Sequence, residues 1–285
     1  MHAPLDLRLL ATFVRAAHSG TLSATAVQVG RTQSAVTMQI QRLEDALGRS
    51  LFHRSGSGVR LNGNGERFLV YAERILKIHD EAISAFSDKG LHGSMTFGSP
   101  EDYLSAFFPT LLKSFGSLYP DIEIKVVSAP TVELRTLLHS RQIDLALVST
   151  PNANSSEDIV RTEGLVWVGS KPTLALHEFG DIVPLALPAS NAMDHRAACD
   201  AMATARLQYK ISYASNSLAG LIAVARSGLA ISVMTEEAVP SDLHVLNAPL
   251  PQLPRLGVLI AFADTERSPA VDAFANHIRS VLPSL

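Results

Sequence analysis

The chain has 285 residues, 47% of them hydrophobic, with 24 Lys and Arg against 27 Asp and Glu and a single cysteine. That length predicts two or three compact units, and no apolar run approaches the ~18 residues of a membrane span, so a soluble protein without membrane contact is expected. The lone Cys199 cannot close an internal disulfide, and the start Met-His-Ala-Pro-Leu-Asp-Leu-Arg lacks the basic-then-apolar order of an export signal, which points to the cytoplasm.

Charge is unevenly spread along the chain. Up to Arg60, seven arginines (Arg8, Arg15, Arg31, Arg42, Arg49, Arg54 and Arg60) stand against Asp6, Glu44 and Asp45, a net +4 that leaves −7 for the rest of a chain whose total is −3. A basic head on an acidic body directs only the head toward a polyanion, and arginine suits bidentate phosphate or guanine contacts.

In chain order, Leu7, Leu10, Phe13, Val14 and Ala17 have the spacing of an amphipathic helix ending near His18-Ser-Gly20. Two short helices around a glycine turn follow. Ser23 is the candidate N-cap of the first, Gly30 supplies a left-handed turn, and Thr32 caps the second. In the second helix Val36, Ile40, Leu43 and Leu47 form one buried stripe, which leaves Gln33, Ser34, Thr37, Gln41 and Arg42 on the open face. This is helix-turn-helix chemistry, with side chains long enough to reach base edges in a major groove. Taken alone, the same face would suit any solvated helix.

Leu51 to Asn62 has apolar ends around a Gly/Ser tip, a short hairpin or wing, with Arg54 and Arg60 flanking the tip where they can meet the sugar-phosphate backbone. Residues 1–62 are therefore expected to form a winged helix-turn-helix dominated by α-helix. Residues 63–89 form a long linker helix in which Phe68, Leu69, Ala72, Ile75, Leu76, Ile83 and Phe86 make a broad apolar stripe. So much apolar surface predicts that a second copy covers it; docking on its own chain is the alternative.

Gly90-Leu-His-Gly93 marks a boundary, and residues 90–285 alternate strands with helices as an open α/β sheet does. The first series is strand Ser94–Phe97, one helix Ser105–Tyr119, strand Ile122–Val127, helix Val132–His139 and strands Leu145–Val148 and Leu165–Val168. A second runs strand Val183–Leu187, helix Met193–Ala203, strand Tyr209–Tyr213, helix Leu218–Arg226 and strand Ala230–Met234. Strand Leu256–Phe262 and helix Val271–Leu282 bring the chain back to the first lobe. Lobe I is thus expected at 93–168 and 263–285, lobe II at 169–262, with a cleft between them.

Strand ends facing that cleft supply the candidate ligand contacts: Ser99, Pro100, Glu101 and Asp102, then Ser149 and Thr150, Pro188 and Asn191, and Ser215, Asn216 and Ser217. Ser99 and Ser217 could equally be helix caps. Glu101 and Asp102 at the entrance disfavour anions, so the expected ligand is neutral or cationic, if there is one. No enzyme signature is present: no G-x-S-x-G, phosphate loop, H-E-x-x-H or G-x-G-x-x-G, and the ten histidines have no metal spacing, so neither cofactor nor metal is expected.

The head resembles the LysR-type transcriptional regulators through Leu9, Phe13, Gly20, Ala26, Gln33, Ser34, Ala35, Val36, Ile40, Leu43, Glu44, Leu47, Gly48, Leu51, Phe52, Arg54, Val59, Leu61 and Gly65, all in register. The body resembles that family's effector domain through Phe108-Pro109, Phe115, Tyr119-Pro120, Leu134, Leu138, Ile143 to Leu147 and Gly228 to Ile231. Gly98 to Tyr103 has a weaker likeness to the LrhA and HexA branch of motility and virulence repressors.

The resemblance implies a two-lobed, periplasmic-binding-protein-like effector domain behind the DNA-binding head. It also implies a homodimer or homotetramer on double-stranded inverted-repeat DNA, and a small molecule in the interlobe cleft. It makes Gln33 and Ser34 base readers, with Thr32, Thr37, Gln41 and Arg42 nearby, and Arg31, Arg54 and Arg60 phosphate contacts. Ser57 stands where the family has a wing arginine, which predicts a salt slope about one unit lower. Asn62 replaces the usual threonine and Thr25 a common alanine. A nucleoid-type DNA-binding protein without effector and a transporter's solute-binding protein are the rival readings; the DNA-reading head argues against the second.

Overall fold

The computed structural model describes residues 4–55, 58–85, 91–151, 159–173, 182–264 and 267–285, excluding the side chains at 54, 55, 80, 81, 84 and 85. It divides into two units, Met1–Gly93 and Ser94–Leu285.

In the first unit α1 (Leu7–Ser19) begins where the Asp6 carboxylate accepts from the Arg8 N–H and ends at Gly20, whose φ of 70° is left-handed. The next helix, α2 (Leu22–Gln28), is capped by Thr21 and not by Ser23. Thr21 has the extended backbone that a cap requires, and its hydroxyl accepts from the Ala24 N–H, whereas Ser23 already lies inside the helix. The turn passes through Gly30 at φ 60°, and α3 (Gln33–Leu47) starts at Thr32, whose hydroxyl accepts from the Ala35 N–H. Leu10, Phe13, Ala26, Val36, Ile40 and Leu43 form the common core, with Leu47 at its margin. Thr25 belongs to this interior as a satisfied hydroxyl: it donates to the Thr21 carbonyl at 2.7 Å.

The wing is the antiparallel pair β1 (Phe52–Ser55) and β2 (Gly58–Leu61), with His53 opposite Arg60 and Arg54 opposite Val59. Its tip, including Ser57, and the Arg54 side chain lie outside the described residues. The Val59 N–H donates to the Gly20 carbonyl at 2.9 Å, which ties the wing to the end of α1. Asn62 caps the next helix: its Oδ1 accepts from the N–H groups of Asn64 and Gly65 at the start of α4 (Gly63–Ala85). Gly65 cannot be larger here, since a Cβ would sit 2.1 Å from the Leu51 carbonyl oxygen.

Much of the α4 stripe is docked on its own chain. Phe68, Leu69, Ala72, Ile75 and Leu76 pack into the head core, and the Phe68 and Phe13 rings lie 5.4 Å apart. The first half of the helix runs beside α1, a tertiary fact that a repeat of apolar residues does not encode, and Phe68, Leu69, Ile75 and Leu76 remain only partly buried by their own chain. Ile78 and Ile83 stay exposed further along, and Phe86 to Lys89 and Gly90 are outside the described residues.

The second unit opens with β3 (Gly93–Ser99), followed by α5 (Glu101–Ala106) and α6 (Phe108–Leu118) in place of the single helix expected from Ser105 to Tyr119. The helix breaks at Phe107 because Pro109 has no N–H for a continuous helix and suits the first turn of a new one. Then come β4 (Ile122–Ser128), α7 (Thr131–His139), β5 (Leu145–Thr150) and β6 (Ile159–Gly169). The remainder is β7 (Val183–Leu187), α8 (Met193–Thr204), β8 (Tyr209–Ala214), α9 (Leu218–Ser227), β9 (Ile231–Thr235), β10 (His244–Leu246), β11 (Arg255–Phe262) and α10 (Pro269–Val281).

The strands follow the order β4-β3-β5-β11-β6-β9-β7-β8, with β10 also on β6. Two long antiparallel strands carry the chain between lobes. The first part of β6 pairs with β11, but from Leu165 onward it pairs with β9 in the second lobe; β11 returns from Gly257 along β5. The change of lobe therefore falls near Gly164 and near Arg255, several residues before the 168/169 and 262/263 boundaries read from the sequence. Only the pairing partner distinguishes the two halves of such a strand; its hydropathy does not. Phe97, Tyr103, Phe107, Phe115 and Phe274 centre one lobe, and Trp167, Leu185, Leu187, Met202 and Val233 the other.

Candidate nucleic-acid interface and effector cleft

On α3 the stripe Val36, Ile40 and Leu43 turns inward, so Gln33, Ser34, Gln41 and Arg42 are exposed, with Arg31 and Thr32 exposed just ahead of them and Thr37 half-buried. The Thr37 hydroxyl donates to the Gln33 carbonyl of its own helix at 2.9 Å, and Gln41 Nε2 donates to Asp45 Oδ1 at 2.9 Å. Gln33 is held from the side: the Ser23 hydroxyl of α2 donates to Gln33 Oε1 at 3.0 Å. That contact fixes the carboxamide and leaves its amide N–H groups to donate outward. Ser23 is thus a brace for the recognition helix where the sequence suggested a cap.

Two further residues of α3 bear on this arrangement, one exposed and one buried. Met38 is 54% exposed on the α3 face, an apolar side chain of the kind that meets a thymine methyl. Its signal in the sequence was a methionine midway between Val36 and Ile40, on the helix face opposite the buried stripe. Glu44, by contrast, is buried, and its Oε1 accepts from the N–H of Leu51 at 2.7 Å and of Phe52 at 3.4 Å, which fixes the entry of the wing to the recognition helix. Arg60 is exposed on the wing, across the ladder from exposed His53.

Between the lobes of the second unit lies a cavity of ≈ 420 Å³. Of the expected contacts, Pro100, Glu101, Asp102, Ser149, Pro188, Asn191, Ser215 and Asn216 line it, and Ser99, Thr150 and Ser217 do not. Ser128, Thr131, Glu133 and Asp194 also line it, together with Leu165 and Leu256 of the crossover strands. Asp194 was missed because a carboxylate in the first turn of a helix reads as a partner of the helix dipole. Neither Ser99 nor Ser217 makes a side-chain cap: Ser99 Oγ is buried without a hydrogen-bond partner among the described residues, and the Ser217 hydroxyl donates toward Glu101 at 3.4 Å.

Glu101 supplies the missing cap of α9. Its Oε2 accepts from the Leu218 N–H at 2.7 Å, so a carboxylate of one lobe closes the N-terminus of a helix in the other. The anion-favouring end of α9 is thereby filled from within the protein. Asp102 lies next to it with its Oδ1 accepting from the Tyr103 N–H. Burial pushes the Asp102 carboxyl up to about 6, and the neighbouring Asp194 pushes the same way, against the Tyr103 N–H and the Thr235 hydroxyl. Burial also raises Asp194, opposed by the His195 N–H. Below them the Tyr103 hydroxyl and Ser149 Oγ share a 2.9 Å hydrogen bond, and the Ser149 N–H donates to Thr131 Oγ1 at 3.0 Å.

Residues 7–66 match the family described as "Bacterial regulatory helix-turn-helix protein, lysR family", and residues 88–283 match "LysR substrate binding domain". The chain belongs to the LysR family of bacterial transcriptional regulators. It is 47% identical over 283 residues, 99% of this chain and 96% of the relative, to the HTH-type transcriptional regulator DgdR of Burkholderia cepacia. To PecT of Dickeya dadantii it is 33% identical over 252 residues, 88% of this chain and 79% of the relative. Among solved structures the fold is similar to that of full-length CbnR complexed with target DNA, with a TM-score of 0.66 at 18% identity over 97% of this chain and 99% of that one. ArgP from Mycobacterium tuberculosis gives the same TM-score of 0.66 at 17% identity, covering 99% of each chain. These matches place this LysR regulator in the family and not in a branch of it. Among its described residues no helix is long and apolar enough to cross a membrane, and no cluster of three or more potential ligands could hold a metal ion.

Proposed function

We propose that this LysR regulator is a cytoplasmic, non-enzymatic DNA-binding protein that reads an inverted-repeat operator as a homodimer or homotetramer and responds to a small molecule in its interlobe cleft. In this reading Gln33 and Ser34 contact base edges and Met38 a thymine methyl. Thr32, Thr37, Gln41 and Arg42 border them, while Arg31, Arg54 and Arg60 hold phosphates. The observation that carries it is the exposed α3 face with Gln33 braced by Ser23, because a preset carboxamide can pair bidentately with adenine for about 1 to 3 kcal/mol of discrimination. The exposed Ile83 at the far end of α4 is the part of the stripe left for a second copy.

The test is selection of duplexes from a random pool, followed by gel-shift titration on selected and scrambled DNA. Gln33→Ala is expected to lose affinity on the selected site alone and Arg60→Ala on both. Equal loss on both sequences for Gln33→Ala would sink the base-reading assignment, and failure to enrich any sequence would favour a nucleoid-type binder.

A further inference from the structure

If the cleft is the effector site, as proposed above, its chemistry also selects the ligand. Glu101, Asp102, Glu133 and Asp194 all line the cavity, and no lysine, arginine or histidine among the described residues does. One helix end that could receive an anion, that of α9, is occupied by Glu101, and the N-termini of α7 and α8, which also line the cavity, carry Glu133 and Asp194 in their first turns. What remains is a pair of carboxylates, Asp102 from one lobe and Asp194 from the other, close enough that the charge of Asp194 acts on Asp102. Two desolvated like charges in one cavity are unfavourable unless something positive is placed between them. No cationic side chain among the described residues lines the cavity between them; His195, which follows Asp194, gives it a backbone N–H and binds the Pro188 carbonyl through its ring at 2.8 Å.

Leu221, Val233 and Met234 give the cavity an apolar flank. A volume of ≈ 420 Å³ suits a small ligand. We propose that the effector of this cleft is a small molecule with a protonated amine on a short aliphatic body, whose ammonium sits between the Asp102 and Asp194 carboxylates and donates to both.

The test is calorimetric titration of the full-length protein with L-alanine, propylamine and 1,4-diaminobutane, against propionate, succinate and 1-propanol. At least one amine is expected to bind, with its affinity reduced about tenfold or more in Asp102→Asn and in Asp194→Asn, both near-isosteric and checked for folding by circular dichroism. Binding of propionate or succinate without any amine would overturn the amine assignment and leave the effector reading standing, as would amine binding unchanged in both variants. No binding by any of the six compounds would overturn both.

Discussion

Replacing Asp102 by asparagine is expected to stabilise the folded protein at neutral pH but not in acid. The ordinary value for this carboxyl is 3.8, and burial beside Asp194 raises it to about 6. The unfolded chain therefore releases the proton first. Between those two values the folded state binds more protons than the unfolded one, so stability is fully present below the unfolded value and is lost as pH rises through the folded one. A gap of about two units at 1.36 kcal/mol each sets an upper bound of about 3 kcal/mol for the penalty at neutral pH. Asparagine removes the charge and keeps an Oδ1 that can still accept from the Tyr103 N–H, so a realised gain of about 1 to 3 kcal/mol is expected. Trp167 is the only tryptophan and is buried in the core of the second lobe, which makes its fluorescence a reporter of this unit during urea unfolding. The variant's midpoint should exceed that of the parent at about pH 7.5 and coincide with it at about pH 4. A variant destabilised at neutral pH, or an advantage unchanged in acid, would refute the reasoning.

Three other perturbations probe separate parts of the molecule. Glu44→Ala strands the buried Leu51 and Phe52 N–H groups and is expected to cost about 2 to 3 kcal/mol in thermal or urea unfolding of the head; a change within experimental error would show that the wing does not depend on this carboxylate. Glu101→Ala uncaps α9 for about 1 kcal/mol and cuts a tie between the lobes, so faster amide exchange at Leu218 is expected, and unchanged exchange there would count against the clamp. For Met38, thymine is replaced by uracil position by position in a selected site. The parent should lose about 1 kcal/mol at one position per half-site and Met38→Ala nothing there; equal sensitivity in both proteins would exclude the methyl contact.

Local signals in the sequence determined the elements of the head: glycine turns, a threonine cap at Thr32 and an apolar stripe through Val36, Ile40 and Leu43. They also determined the alternation of strands and helices in the body and most of the strand ends that line its interlobe cavity, because period and turn chemistry act between near neighbours. Tertiary structure decided the rest. Thr21 takes the cap that Ser23 seemed suited for, and Ser23 instead braces Gln33 from another helix. Phe68 and Leu69 of α4 are claimed by their own chain, and β6 and β11 change lobes in mid-strand. In the cleft, Glu101 and Asp102 are adjacent in sequence with opposite fates. One reaches the N-terminus of α9, and the other is left facing Asp194, 92 positions further along the chain. No local pattern distinguishes such neighbours, because the energy of a carboxylate is set by the donors and charges the fold brings against it.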